Sequence, residues 1–80
     1  MDTFTATLIL VTRLSDEISF DVEYSNGTDV FNRNYTDKHM DGIVDRVLAT
    51  VRAELTRLDN LYTGFDSVKA LEGTSITSDT

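Results

Sequence analysis

Alternating apolar and polar side chains predict three extended segments in the first half of the chain. Residues 18 to 24 alternate strictly, with Ile18, Phe20, Val22 and Tyr24 separated by Ser19, Asp21 and Glu23. Such alternation is typical of a strand with one buried face and one solvated face. Residues 3 to 13 alternate more loosely, and residues 28 to 35 follow after a turn signal. We therefore expect three consecutive strands.

Two turns join these strands into a meander. Asn26-Gly27 predicts a two-residue hairpin, because a type I′ turn needs positive φ at both central residues. The first hairpin is expected to close through residues 14 to 16. The order would then be 1-2-3, antiparallel, with strand 2 in the centre. The expected cross-strand pairs are Leu10 with Phe20, Leu8 with Val22, Phe20 with Arg33, and Val22 with Phe31.

An apolar stripe with spacings of three and four predicts one long amphipathic helix over residues 38 to 62, capped by Thr36 or Asp37. At ~1.5 Å per residue this helix would overhang its shorter sheet. A short second helix is expected from Asp66 or Ser67 to Gly73, folding Phe65, Val68 and Leu71 back onto the core. The members of the stripe are Met40, Ile43, Val44, Val47, Leu48, Val51, Leu55, Leu58, Leu61 and Tyr62.

The predicted fold class is thus α+β, a three-stranded antiparallel β-meander packed against one long amphipathic helix, plus a short C-terminal helix. Eighty residues correspond to one domain. We place this domain at residues 1–73 and a flexible polar tail at residues 74–80.

The outer face of the predicted sheet mixes carboxylates with apolar side chains. It is expected to carry Thr5, Thr7, Ile9, Val11, Glu17, Asp21, Glu23, Val30 and Asn32. This mixture fits an ordinary solvated face or a partner-binding patch with an apolar centre and a charged rim. The candidate partner-binding residues, including those at the hairpin tips, are Asp16, Glu17, Asp21, Glu23, Asp29, Ile9 and Val11.

The charge balance narrows the class of partner. Fourteen acidic residues against seven basic residues give a net charge of −7. A negative field of this size disfavours direct binding to nucleic acid or to an anionic membrane. It favours a protein with a basic surface, such as a nucleic-acid-binding complex, or it serves only solubility.

Residues suited to catalysis are nearly absent. The chain has no cysteine, His39 is its one histidine, and no nucleophile or phosphate-binding motif occurs. Asp37, Asp41 and Asp45 would share one helix face, but one face supplies too few oxygens for a hard cation. We expect a non-enzymatic protein without cofactor or metal. Since no long apolar span or basic leader is present, we expect it in the cytoplasm.

In size, acidity and meander-plus-helix layout over residues 3 to 62, the chain resembles the small acidic phage-encoded inhibitor proteins of the anti-CRISPR kind. The resemblance implies binding to a basic nucleic-acid-binding surface of a host defence complex. Two alternatives stay open. One is a phage virion or assembly protein, indicated by the stretch from Glu54 to Tyr62 leading into residues 70 to 74. The other is a homodimerisation domain that associates through its overhanging helix.

Overall fold

Three antiparallel strands and one long helix make up the computed structural model, which describes residues 3–78. The elements are β1 (Thr5–Leu14), β2 (Glu17–Ser25), β3 (Val30–Lys38) and α1 (Ile43–Lys69). The strands form one sheet in the order β1-β2-β3. The predicted α+β meander with a long helix is confirmed. No helix within residues 3–78 is long and apolar enough to cross a membrane.

The turn between β2 and β3 is longer than predicted. It spans residues 26–29, and the backbone N–H of Asn26 donates to the Asp29 carbonyl at 3.2 Å. The Asn26 side-chain oxygen accepts the backbone N–H groups of Thr28 at 2.9 Å and Asp29 at 2.7 Å. Gly27 has φ 92°, which glycine adopts at little cost. The predicted two-residue turn is wrong, because the Asn26 side chain closes a four-residue loop instead.

This longer turn shifts the β2–β3 register by two residues. Phe20 lies opposite Tyr35, and Val22 lies opposite Arg33, where Phe31 was predicted. A shift of two leaves every side chain on its predicted face, since side chains alternate with period two.

A β-bulge interrupts the pairing of β1 with β2. Leu8 lies opposite Val22 as predicted, but the next pair is Leu10 with Asp21, so Ile9 is an extra residue. Beyond the bulge Val11, not Leu10, lies opposite Phe20. The bulge therefore moves Val11 to the helix side of the sheet, and its predicted place on the outer face is wrong.

The helix begins later than predicted. β3 continues through Asp37 to Lys38, and α1 begins at Ile43 after Gly42, which has φ 83°. The predicted cap by Thr36 or Asp37 is therefore wrong. The Asp37 carboxylate instead forms an ion pair with the Arg46 guanidinium at 3.2 Å. Within residues 3–78 no three His, Asp or Glu side chains are grouped to hold a metal ion.

The helix also ends later than predicted. α1 passes through Gly64 without a break and ends at Lys69, so the predicted short C-terminal helix is not a separate element. Phe65, Val68 and Leu71 are each at least half exposed and do not fold back onto the core. We call this surface, with Ile76, the C-terminal apolar patch. The helix therefore overhangs the sheet, as predicted, with exposed apolar side chains at its C-terminal end.

A small core joins the helix to the centre of the sheet. Its buried side chains are Phe4, Phe20, Val22, Tyr24, Val51 and Leu58. Phe20 stacks on Tyr35 with ring centroids 5.2 Å apart. Just before β1, the backbone N–H of Phe4 donates to the Asp59 carboxylate at 2.9 Å. Half of the buried residues come from β2, as its central position requires.

Charged and hydroxyl groups border this core along the β3 side of the helix. The Glu54 carboxylate accepts two bonds from Arg57 at 2.8 and 2.7 Å, and Arg33 lies 3.6 Å away. The hydrogen bonds from Arg57, with the charges of Arg57 and Arg33, lower the pKa of Glu54 below its usual 4.5. Burial and the 2.8 Å bond to Tyr35 raise the pKa of Tyr24 well above its ordinary value.

We expect Glu54→Gln to destabilise the fold at neutral pH but not in acid. A carboxyl group with a lowered folded-state pKa contributes stability above its unfolded pKa, and loses it as the pH falls through the folded value. The difference in unfolding free energy between wild type and variant should therefore be constant above about pH 5 and shrink below pH 4.5. Urea unfolding across this range measures it. The matched control is Glu72→Gln, whose exposed partner is Lys69, and it should change stability little.

Candidate partner-binding surface

The face of the sheet opposite the helix carries a column of carboxylates along β2. The register of β2 places Glu17, Asp21 and Glu23 on this outer face, while Phe20 and Val22 point into the core. At ~3.3 Å per residue, Asp21 and Glu23 are about 7 Å apart along the strand, and Glu17 and Asp21 about 13 Å. We call these three residues the acidic column.

Neutral amides flank Asp21 and Glu23 on the β3 side of the acidic column, whereas Lys38 lies opposite Glu17. The Asn34 side-chain amide donates to Asp21 at 2.6 Å and to the Ser19 hydroxyl at 3.0 Å, and Asn32 lies opposite Glu23. In the described part of the chain, none of the three carboxylates forms an ion pair. Asp21 is therefore held in place by a neutral donor and keeps its charge available to a partner.

Apolar side chains flank the acidic column on the β1 side. Ile9 and Leu10 are 56% and 58% exposed. Ile9 lines an outer-face hollow of about 320 Å³ together with Asp21, Asn32, Arg33 and Asn34. Both residues lie opposite Asp21 because of the bulge. The sequence reasoning missed Leu10, although the unbroken apolar run from Leu8 to Val11 was a signal that simple alternation fails there.

Val11 does not belong to this surface. It lies on the helix side, in a groove between the uncovered half of β1 and the beginning of α1. Leu8 shares this position, and both side chains are about half exposed because α1 does not reach over them. We call this the β1 groove.

The two hairpin tips lie at opposite ends of the sheet. Asp16 is in the β1–β2 turn, next to Glu17, and its backbone carbonyl accepts the His39 N–H at 2.9 Å. Asp29 is in the other turn, about 30 Å away at ~3.3 Å per residue of β2. Burial and a hydrogen bond to Asp29 raise the pKa of Tyr62, so the Asp29 carboxylate is engaged by the helix. Asp29 is therefore remote from Asp16.

The structure thus brings together Ile9, Glu17, Asp21 and Glu23, with Asp16 at the edge of the group. Clustered carboxylates beside apolar side chains accept hydrogen bonds from arginine and lysine while the apolar surface excludes water. The sequence matches no protein-family model, no curated protein and no solved structure.

Proposed function

We propose that this chain is a non-enzymatic protein-binding module that docks a basic protein surface onto the outer face of its sheet. The supporting observation is that the acidic column is uncovered by the helix and unpaired with any cation in the described residues. The core-side carboxylates differ, since Asp37 and Glu54 are neutralised by arginines within the chain.

The narrower form of the proposal is an inhibitor of the anti-CRISPR kind, which occupies a groove that normally holds nucleic acid. Such a groove is lined by arginine and lysine side chains that contact phosphates. Carboxylates accept the same charge-assisted hydrogen bonds as phosphates, including bidentate bonds from arginine. The acidic column supplies such acceptors on a rigid strand. The partner is then a nucleic-acid-binding protein complex, not nucleic acid itself.

The experiment compares two double variants with identical net charge. Asp21→Lys/Glu23→Lys reverses the acidic column, whereas Asp41→Lys/Asp66→Lys reverses two exposed carboxylates outside the sheet. Each protein is used as bait in a bacterial lysate, and captured proteins are quantified by mass spectrometry. We expect the column variant to weaken the binding free energy by far more than the ~0.2–1 kcal/mol that an exposed ion pair contributes. The control variant should bind the partner as wild type does.

Competition by nucleic acid and the dependence of binding on salt distinguish the proposed inhibitor from an assembly protein. Added nucleic acid should displace the captured partner, and binding should weaken as ionic strength rises. A complex that resists salt and survives the column reversal contradicts the acidic docking surface. Captured capsid or tail proteins would instead favour an assembly role. Equal loss in both variants would mean that only overall charge matters.

A further inference from the structure

Strand β1 forms one edge of the sheet. It is ten residues long and, in the described part of the chain, pairs with β2 alone. Its one charged residue is Arg13. The opposite edge, β3, carries Arg33, Asp37 and Lys38. Charged side chains and β-bulges both protect edge strands against pairing with another chain. β3 is protected by its charges, whereas β1 has one charge and the bulge at Ile9, which any added strand must accommodate.

The chain also buries too little surface for a compact monomer. Its accessible surface is 5996 Å², whereas a folded monomer of 9.0 kDa exposes about 4,900 Å². The excess of roughly 1,100 Å² exceeds the ~800 Å² that each partner contributes to a typical stable interface. The radius of gyration is 17.7 Å, against about 12 Å for a compact domain of this length.

Part of this exposed surface lies directly along β1. The β1 groove has a volume of about 270 Å³ and apolar lining throughout. On the other side of the strand, Ile9 and Leu10 are more than half exposed. The strand therefore shows apolar side chains on both faces beside free backbone groups. The groove residues are Leu8, Val11, Ile18, Phe20, Ile43, Val44, Val47 and Leu48.

We propose that β1 pairs antiparallel with β1 of a second copy of this chain, about a two-fold axis between Ile9 and Leu10, to form a six-stranded sheet. An antiparallel pair of identical strands is self-complementary and closes as a dimer. The local charge of β1 permits a second copy of this acidic chain to approach. Residues 3 to 15 contain no carboxylate, so two acidic chains approach here without opposing negative charges.

The bulge supports this register. The two-fold axis pairs Ile9 with Leu10 of the second copy, Leu8 with Val11, Thr7 with Thr12, and Thr5 with Leu14. Because of the bulge, Leu8 and Val11 both lie on the helix side of the sheet. In each of the other three pairs, both residues lie on the outer side. Without the bulge, every one of these pairs would join opposite faces. The whole of β1, Thr5–Leu14, pairs in this register.

The same arrangement covers the β1 groove. A two-fold axis perpendicular to the sheet places both α1 helices on one face, so the exposed Leu8 and Val11 of the two copies meet between them. Val44 and Leu48, at 67% and 38% exposure, border this space. One contact therefore pairs the free edge and shields apolar surface on both sides of it.

The first test measures molecular mass by analytical ultracentrifugation at about 100 µM, since interfaces of standard size bind in the micromolar range or tighter. Wild type should have twice the 9.0 kDa chain mass. Leu10→Lys should weaken the dimer at least tenfold. Val30→Lys, on the same face of the other edge at 55% exposure, should leave it intact. Monomeric wild type, or a dimer that Leu10→Lys leaves intact, overturns the proposal.

Two further measurements separate this dimer from other contacts. Val68→Lys alters the C-terminal apolar patch, and a dimer that it disrupts while Leu10→Lys does not would place the interface on the helix overhang. Raised salt should not weaken the β1 dimer, because its strands are nearly uncharged while each chain carries −7. Weakening by salt would contradict the proposed interface.

The second test uses the absence of natural cysteines. An oxidised equimolar mixture of the variants Thr7→Cys and Thr12→Cys should form a disulfide-linked dimer, because the two positions lie opposite each other. Either variant alone should form none, since its two copies of one position are about 17 Å apart at ~3.3 Å per residue and a disulfide needs Cα atoms within about 7 Å. Cross-linking of either variant alone, or none in the mixture, would refute this register.

Discussion

Replacing Phe20 by alanine is expected to lower the free energy of unfolding by about 3–5 kcal/mol. Phe20 is 2% exposed at the centre of β2 and stacks on Tyr35. Truncation removes buried apolar surface and leaves a cavity. Because β2 is paired with a strand on each side, its backbone moves little to fill this cavity. For a domain of this size, each kcal/mol corresponds to a fall of about 4–8 °C in melting temperature. Thermal melts and urea unfolding give both quantities.

Phe65→Ala is the matched control for this change. It removes the same side chain from a site that is 55% exposed, so its effect on stability should stay within about 0.5 kcal/mol. All variants should be compared at one protein concentration, because self-association makes apparent stability depend on concentration. A Phe20→Ala melt within two degrees of wild type would contradict the described core.

Leu58→Ala should cost about 2–5 kcal/mol, because Leu58 is the most deeply buried side chain of α1, at 2% exposure. Leu61→Ala makes the same change three residues later, where the side chain is 56% exposed. Its cost should not exceed about 0.5 kcal/mol. Urea unfolding of the pair measures how far the helix packs on the sheet. Equal effects would mean that α1 presents a different face to the core.

The proposed dimer changes what the acidic column offers a partner. In the six-stranded sheet the β2 strands of the two copies lie three strand spacings apart, which is about 14 Å. Ile9 and Leu10 of both copies would occupy the space between two parallel rows of carboxylates. When a basic surface contacts one row, its contact with the second row becomes intramolecular, and this raises the overall affinity. Leu10→Lys should then weaken partner capture as well as the dimer.

The candidate surface was only partly predictable from sequence. The strict alternation of β2 correctly places Glu17, Asp21 and Glu23 opposite Phe20. The alternation of β1 misplaces Val11, because four consecutive apolar residues fit either face and conceal the bulge. Asp29 is a tip residue by sequence, yet only the packed helix brings Tyr62 to its carboxylate.

The sequence by itself determined the three strands, their order, the buried face of β2 and one long helix overhanging the sheet. These features rest on side-chain periodicity, which reports which face is buried and how far a pattern continues. Periodicity of two is unchanged by a shift of two residues, so it left the β2–β3 register open until the Asn26 turn decided it.

Only the tertiary structure decided where the helix begins and which edge of the sheet stays open. Asp37 would cap a helix well on local grounds, but its pairing with Arg46 of α1 keeps it in β3. The uncovered half of β1 follows from where α1 packs over the sheet. Both outcomes depend on contacts between residues far apart in the chain, whose energies outweigh local propensities and are not encoded in any single segment.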